Sequence, residues 1–281
     1  MYYHNLGQIY FWLRDWENCY QNKKESILLF EKNISFEQDK ITAYLVDIGF
    51  IIGALVSLKR YDELLIYKNK ASKFIQLIPK NKQNNSTYNA YMVVMVNYIA
   101  YQVDSFKINE ALAECEKLES IIQKFLSAQP LKVFYYNLFM IYFYKDNFRK
   151  ALYCINKILA EEGMKARQDV WNVAKITNII VHYELGNLDL LPGLCRSTLN
   201  YFEKKGVKNK GDKLLLDHFA KESVKDPRPE ERIKRFTELR KKIIDLPNSD
   251  FFIQKDLVVP WLNSKIEKIS FLEATQRHRK G

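Results

Sequence analysis

A repeated pattern of apolar, turn and small residues constrains this chain more than any other feature of its sequence. The pattern first occurs at Leu6, Gly7, Tyr10, Asp15, Trp16 and Cys19. It returns at Leu138, Tyr142, Asn147, Phe148 and Ala151. A repeated unit of this kind cannot bury its apolar face alone, so the pattern predicts neighbouring units that stack and share a core.

Weaker copies of the pattern lie between and after these two segments. The positions that correspond to Cys19 are Leu64, Ala111, Ala151 and Leu191, which are 40 to 47 residues apart by subtraction. From Ile108 to Phe125 the apolar residues follow the spacing of one buried helix face. Glycine (9) and proline (7) are scarce, which argues against many tight turns between strands. The sequence therefore predicts an all-α fold.

The segments that begin at Leu6 and Leu138 resemble the tetratricopeptide repeat. That family has Leu-Gly-x-x-Tyr in a first helix, then a turn with an aromatic residue, then a small residue in a second helix. Cys19 stands where the family has alanine, and Phe139 stands where it has glycine. The family repeats at about 34 residues, so the longer period here indicates irregular curvature. The resemblance implies an α-α superhelix, a solenoid of about five antiparallel helix hairpins over residues 1–205.

The repeat pattern stops after Gly206. Composition and apolar spacing predict further helices at about 212–223, 230–246 and 260–274, followed by a frayed basic tail over residues 276–281. Terminal units of solenoids cover an otherwise open end of the core. We therefore expect residues 206–281 to form a C-terminal helical cap.

The resemblance also implies that the first helices of the hairpins line a groove that holds a protein or peptide partner. The candidate groove residues by register are His4, Asn5, Gln8, Tyr136, Asn137, Tyr144 and Tyr183. Asn5 and Asn137 share one register, and an amide can both donate to and accept from a peptide backbone. The alternative is that these are polar helix-surface residues without a ligand. The Lys, Arg and Asn set with which one subclass grips a C-terminal carboxylate is missing.

A second hypothesis assigns nucleic-acid binding, or a regulatory sensor role, to the C-terminal helices. The candidate basic patch comprises Lys234, Arg235, Arg240, Lys241 and Lys242. The net charge of +11 fits such a surface, but charges of both signs are interspersed along the chain. A solvated helix face explains the patch more simply, because Glu230, Glu231 and Glu238 lie on the same helix.

No nucleotide-binding, hydrolase or zinc-protease motif is present, so we expect no enzyme activity. A nucleophilic pair of Cys195 and His182 is conceivable, but both fit ordinary packing positions. Cys19, Cys115 and Cys154 also lie on apolar stripes without metal-ligand spacing. We therefore expect reduced core thiols, no metal and no cofactor.

The first residues lack the basic start and apolar run of a signal peptide. The most apolar stretch, Ile48 to Leu58, is too short to span a bilayer and follows Asp47. The sequence thus favours a cytoplasmic protein without a membrane segment.

Overall fold

A computed structural model of the chain describes residues 2–34, 37–79, 81, 84–160, 168–221, 228–253 and 255–280. Every regular element within these ranges is a helix, which confirms the predicted all-α class. The chain divides into two compact units, Met1–Asn137 and Leu138–Gly281. The predicted regions 1–205 and 206–281 remain a prediction.

The described helices pair off along the sequence, with very short turns inside most pairs. They are α1 (Tyr2–Trp12), α2 (Trp16–Lys32), α3 (Gln38–Ser57), α4 (Tyr61–Leu77), α5 (Asn85–Asp104), α6 (Ile108–Phe125), α7 (Ala128–Tyr144), α8 (Phe148–Leu159), α9 (Gln168–Glu184), α10 (Leu191–Lys204), α11 (Lys210–Phe219), α12 (Pro229–Ile244), α13 (Lys255–Glu267) and α14 (Phe271–Lys280). A single turn of 3-10 helix, Leu188–Leu190, precedes α10, and Pro192 falls in the first turn of α10, where a missing N–H removes no helical hydrogen bond.

One type of turn closes the first helix of five successive pairs. Its residue in the left-handed region is Arg14, Lys59, Phe106, Asp146 or Gly186, with φ between 52° and 74°. In the first turn Arg14 N–H donates to Phe11 C=O and Asp15 N–H to Tyr10 C=O, and the other four turns repeat both bonds. This is the Schellman motif, which satisfies carbonyls that the end of a helix leaves open. The five turns are 40 to 47 residues apart by subtraction, which matches the spacing of the sequence pattern.

The five positions that correspond to Cys19 in the repeat are all inside the core. Their residues, Cys19, Leu64, Ala111, Ala151 and Leu191, are all fully buried. In the first unit α1 packs on α2, α3 packs on α2, α4 and α5, and α5 packs on α4 and α6. The apolar face of each hairpin is therefore buried partly by its neighbour, as expected of a hairpin too small for a core of its own.

The second unit is built around α9 and a buried tryptophan. Helix α9 packs on α8, α10 and α11, and α12 packs on α11 and α13. Trp261 of α13 is 1% exposed and contacts the rings of Tyr183, Phe219 and Phe236. Helices α11 to α14 thus contribute to the core of this unit.

The C-terminal helices differ from the prediction. The single helix expected at 260–274 is two helices, α13 and α14, and Pro260 lies inside α13. Proline removes one backbone hydrogen bond there, but the helix buries Val258, Val259 and Trp261 around it. The expected frayed tail is also wrong, because α14 continues to Lys280 and Arg277 bonds to Glu267 and Glu273.

Within the described part of the chain, one helix is long and apolar enough to cross a membrane. This helix, α3, contains almost all of the apolar run Ile48–Leu58. It has 20 residues, so it is longer than the run alone. Of its apolar window, 56% is buried inside the protein. Core helices pass the same test of length and composition, and α3 contacts α2, α4 and α5.

Candidate functional site

Helix α1 carries no Asp, Glu, Lys or Arg, although 27% of the residues in the chain are charged. Several of its large side chains are exposed to solvent. Tyr2 is 71% exposed, Ile9 54% and Trp12 72%, and Leu13 just after the helix is 69% exposed. A helix surface of this composition is unusual in contact with water, and such patches commonly mark interaction sites.

The repeated turns give each exposed residue of α1 an equivalent in the later helices. Ile9 lies five residues before its left-handed turn residue, as do Ala54 and Tyr101 before theirs. Those equivalents are 0% and 3% exposed. Tyr2, in the same comparison, corresponds to Asp47, which is 2% exposed.

Helix α2 packs on α3, and its Lys23 contacts Asp47 there. We call the surface formed by the exposed Tyr2, Ile9 and Leu13 and the half-buried Leu6 the open face of α1. These four residues follow the i, i+4, i+7, i+11 spacing of one helix face. The open face of α1 is therefore the same kind of surface that α3 buries against a neighbouring helix.

A buried ion pair holds α1 against α2 and α3 on its other side. Lys23 of α2 is 0% exposed, and its Nζ donates to Asp47 Oδ1 at 2.5 Å and to His4 C=O at 2.6 Å. Its Nζ also lies 4.5 Å from the Phe50 ring centroid. A Cβ on Gly7 would come within 2.7 Å of Lys23 Cγ, so the glycine makes room for the lysine stem. The absence of a side chain at Gly7 thus has a direct packing reason.

Asp47 is also contacted by the imidazole of His4, whose Nδ1 lies 2.8 Å from Asp47 Oδ1. Burial raises the pKa of Asp47, but the hydrogen bond from His4 and the charge of Lys23 outweigh it, and the net pKa lies below its ordinary value. The carboxylate therefore stays charged and links three helices. Sequence analysis missed Lys23 and Asp47, and the lysine inside an otherwise apolar helix stripe was the available signal.

The asparagines expected to grip a peptide hold neighbouring helices together instead. Asn137 is 6% exposed, and its Nδ2 donates to Val96 C=O at 3.1 Å. Asn97, in the same register, donates to Gly49 C=O at 2.9 Å. The expectation that Asn137 is exposed in a groove is wrong, because its amide donates to the adjacent helix.

The other predicted groove residues have different surroundings. Tyr144 is 5% exposed and stacks on Phe271 at 5.0 Å, so its placement on an exposed groove is also wrong. Tyr183 is half-buried against Phe236 and Trp261. His4, Gln8 and Tyr136 are half-buried, and Asn5 is exposed. Of the seven, the structure brings His4, Asn5 and Gln8 together on α1.

The candidate basic patch is not one continuous surface. Lys234 and Lys241 are exposed on one face of α12. Arg235 and Lys242 lie about a quarter turn away, in a cleft shared with α11. Arg240 Nη1 donates to Asn263 Oδ1 of α13 at 2.8 Å, on a third side. A phosphate backbone could not contact all five side chains at once.

The cysteines have the properties of core thiols. All four are buried and free. Burial raises the pKa of Cys195 to about 12 and that of Cys19 to about 11, so neither is a ready nucleophile. Burial also lowers the pKa of His182, whose Nδ1 lies 3.1 Å from Asn187 Nδ2. Across the described ranges, no cluster of three or more His, Cys, Asp or Glu has the arrangement of a metal site.

In the described part of the chain, the fold is all-helical and built of packed helix hairpins, and the first helix leaves Tyr2, Ile9 and Trp12 exposed. Comparison of the chain with models of known protein families and with curated proteins gives no match.

Proposed function

We propose that this protein is a helical-repeat scaffold, similar to tetratricopeptide proteins, that binds a partner protein on the open face of α1. One observation carries the proposal: Ile9 is 54% exposed, whereas its equivalents Ala54 and Tyr101 are 0% and 3% exposed. A position that the fold buries in later hairpins is left in water in the first one.

The repeat-like stack is part of this proposal. The five equivalent turns support it, and so do two side-chain bonds in the first unit. Asn97 binds Gly49 and Asn137 binds Val96, and both acceptors lie ten residues before their own turn residue. Successive first helices are thus joined by the same contact.

The side chains with which α2 packs on α3 indicate what kind of partner would fit on α1. Ile27 of α2 is buried, and Phe30 of α2 stacks on Tyr44 of α3 at 4.5 Å between ring centroids. These residues follow the apolar spacing of one helix face. We therefore infer that the partner supplies an amphipathic helix with a similar apolar stripe, which would lie on α1 as α2 lies on α3.

The partner helix should differ from α2 at one position. Lys23 pairs with Asp47 on α3, but α1 has Tyr2 in the register of Asp47. A lysine of the partner helix at the position of Lys23 would face Tyr2 and not an acid. An apolar or aromatic residue therefore fits better at this position. Burying apolar surface at about 25 cal/mol per Å² would drive the association.

A matched pair of variants tests the proposal. Ile9→Asp places a charge on the open face, and Ile66→Asp places one on α4 at nearly equal exposure, 54% against 55%. Photo-crosslinking from Trp12 replaced by benzoylphenylalanine should capture a helix of the partner in the wild type and in Ile66→Asp, but not in Ile9→Asp. Crosslinks to a second copy would identify the partner as this same protein. Equal crosslinking by both variants would show that the open face is not the binding surface.

A further inference from the structure

The spacing of side chains on the open face of α1 is symmetric about its midpoint. The sequence i, i+4, i+7, i+11 is the same when the helix is read in the opposite direction. Two copies of α1 that run antiparallel would therefore place Tyr2 of one copy level with Leu13 of the other. Leu6 of one copy would be level with Ile9 of the other. An interface in which both copies use the same surface is isologous and has a two-fold axis at its centre.

The same spacing is that of the a and d positions in two heptads of a coiled coil. Tyr2 and Ile9 stand at d positions, and Leu6 and Leu13 stand at a positions. All four are apolar or aromatic, so each layer of an antiparallel pair would combine two large side chains. The open face of α1 can thus bury its residues against a copy of itself.

The side chains on both sides of this seam are uncharged. They are Tyr3, Asn5, Tyr10 and Trp12. Helices that pair with a specific partner commonly use charged side chains at these flanking positions. Helix α1 has none, so it offers nothing that would attract an acidic or a basic helix. Two copies with a net charge of +11 each can meet along this helix without like charges facing each other.

A second copy of α1 also meets the requirements that the pairing of α2 with α3 sets for a partner. The residue opposite Tyr2 should be apolar or aromatic, because α1 lacks the acid that Asp47 provides for Lys23. In the antiparallel pair this residue is Leu13. The direction agrees as well, since the short segment 33–37 joins α2 to α3 and makes them antiparallel.

The exposed area on α1 is sufficient for a reversible dimer. Four large side chains there are more than half exposed, namely Tyr2, Ile9, Trp12 and Leu13. At roughly 150 to 250 Å² for a large side chain, their exposed fractions amount to roughly 1,000 Å² in two copies. Specific interfaces begin at about 1,000 Å², and those near this limit are usually weak and transient.

We propose that the partner on the open face of α1 is a second copy of this chain, with the two α1 helices packed antiparallel about a two-fold axis. This inference rests on the proposed function and names the partner for it. The two layers of Leu6 against Ile9 lie beside the axis, and the two layers of Tyr2 against Leu13 lie outside them. A single substitution at Ile9 therefore changes the interface twice.

Sedimentation equilibrium of the full chain measures the association. The wild type and Ile66→Asp should dimerise reversibly, because Ile66 is exposed on α4, outside the proposed interface. Ile9→Asp should weaken dimerisation at least tenfold, since it places two carboxylates near the axis. A dimer of unchanged affinity in Ile9→Asp would overturn the proposal, and so would a wild type that stays monomeric at submillimolar concentration.

Disulfide trapping tests the antiparallel arrangement. Tyr2→Cys mixed with Leu13→Cys should form a crosslinked pair under mild oxidation, whereas Leu13→Cys alone should not. In the antiparallel pair the two copies of residue 13 are about 16 Å apart along the helices, too far for a disulfide. The four native cysteines are buried, and Ile66→Cys mixed with Leu13→Cys controls for random collision. Efficient crosslinking of Leu13→Cys with itself would contradict the antiparallel arrangement.

The dimer and the docking surface fail under different results. If the wild type is monomeric and photo-crosslinks from position 12 reach a different protein, the dimer is refuted and the docking surface stands. If there is neither a dimer nor a crosslinked partner, both proposals are refuted.

Discussion

At the scale of single residues, Lys23 is the side chain on which three helices depend. Its stem fills the space left by Gly7, and its charge contacts Asp47 and the His4 carbonyl. Buried ion pairs contribute little net stability compared with apolar residues, but the loss of one partner leaves an uncompensated charge. We therefore expect the pair to affect how α1, α2 and α3 meet more than it adds to net stability.

Replacing Lys23 alone should be far more damaging than replacing the pair. Lys23→Met leaves the Asp47 carboxylate buried without its cation, and we expect a loss of about 3 kcal/mol in the free energy of unfolding. Lys23→Met/Asp47→Leu should recover most of this loss. Urea denaturation measures both. If the double variant were as unstable as the single one, packing of the lysine stem and not charge would be the main effect.

A second residue, Asp212, should make stability depend on pH. It is 1% exposed, and its Oδ2 accepts from Asn209 and from the Phe252 N–H. Burial outweighs these bonds and raises the pKa of Asp212 from 3.8 to about 6. The folded protein thus holds the proton more tightly than the unfolded chain, so this contribution is complete below pH about 4 and is lost as pH rises through about 6.

Asp212→Asn should remove that dependence. Between pH 7 and pH 4 the stability of the wild type relative to the variant should increase by about 2 kcal/mol, measured by urea denaturation. The direct comparison cancels the opposite effect of His218, whose pKa is lowered to about 4 by burial and neighbouring cations. Asp39→Asn, at an exposed site on α3, is the control. A difference between wild type and Asp212→Asn that does not change with pH would contradict the prediction.

At the scale of elements, the left-handed turns are the local structures that define each hairpin. Four of the five carry a residue with a side chain, and Gly186 is the exception. The left-handed region costs a residue with Cβ roughly 1 kcal/mol or more. Asp15 and Asn147, which follow the turn residue, also cap the next helix by accepting from Asn18 N–H and Lys150 N–H.

Lys59→Gly should therefore stabilise the protein. Relief of backbone strain exceeds the entropy that glycine adds to the unfolded chain, and we expect a gain of about 0.5 kcal/mol. Gly186→Ala is the reverse change at an equivalent turn, where φ is 74° and no atom lies within 4 Å of the added Cβ. Thermal unfolding should show a higher melting temperature for the first variant and a lower one for the second. Shifts of the same sign would mean that the turn conformation does not control stability here.

At the scale of the whole molecule, each unit has its own core, and the charge is spread along the chain. The net charge of +11 favours separation of molecules in solution, whereas uncharged α1 carries large exposed apolar side chains. Substitutions on the open face of α1 should therefore affect binding of the partner but not the stability of the fold. Residues of the open face do little for folding, because they contact water.

Ile9→Asp/Leu13→Asp should leave the free energy of unfolding within about 0.5 kcal/mol of the wild type, as is usual for exposed positions. The same variant should be more soluble than the wild type, which light scattering can measure as each protein is concentrated. A loss of several kcal/mol would indicate that the open face belongs to the core and would remove the basis for a docking surface.

The sequence alone determined the class and the spacing of the hairpins. The positions of Cys19 and Ala151, the turns at Asp15 and Asn147 and the apolar stripe of α6 depend on residues close in the chain, where period and turn chemistry act directly. The start of α13 could not be predicted in this way. Pro260 suggests a helix start, but burial of Trp261 and its neighbours outweighs this local effect, and Pro260 lies inside the helix.

Only the tertiary structure decided which polar and aromatic residues face solvent. Asn5 and Asn137 share a register, yet Asn5 is exposed and Asn137 bonds to Val96, 41 residues away. Tyr144 is covered by Phe271 of another helix, and Ile9 is uncovered while Ala54 is not. Exposure depends on which distant helix packs against a face, and the spacing within one helix carries no information about that neighbour.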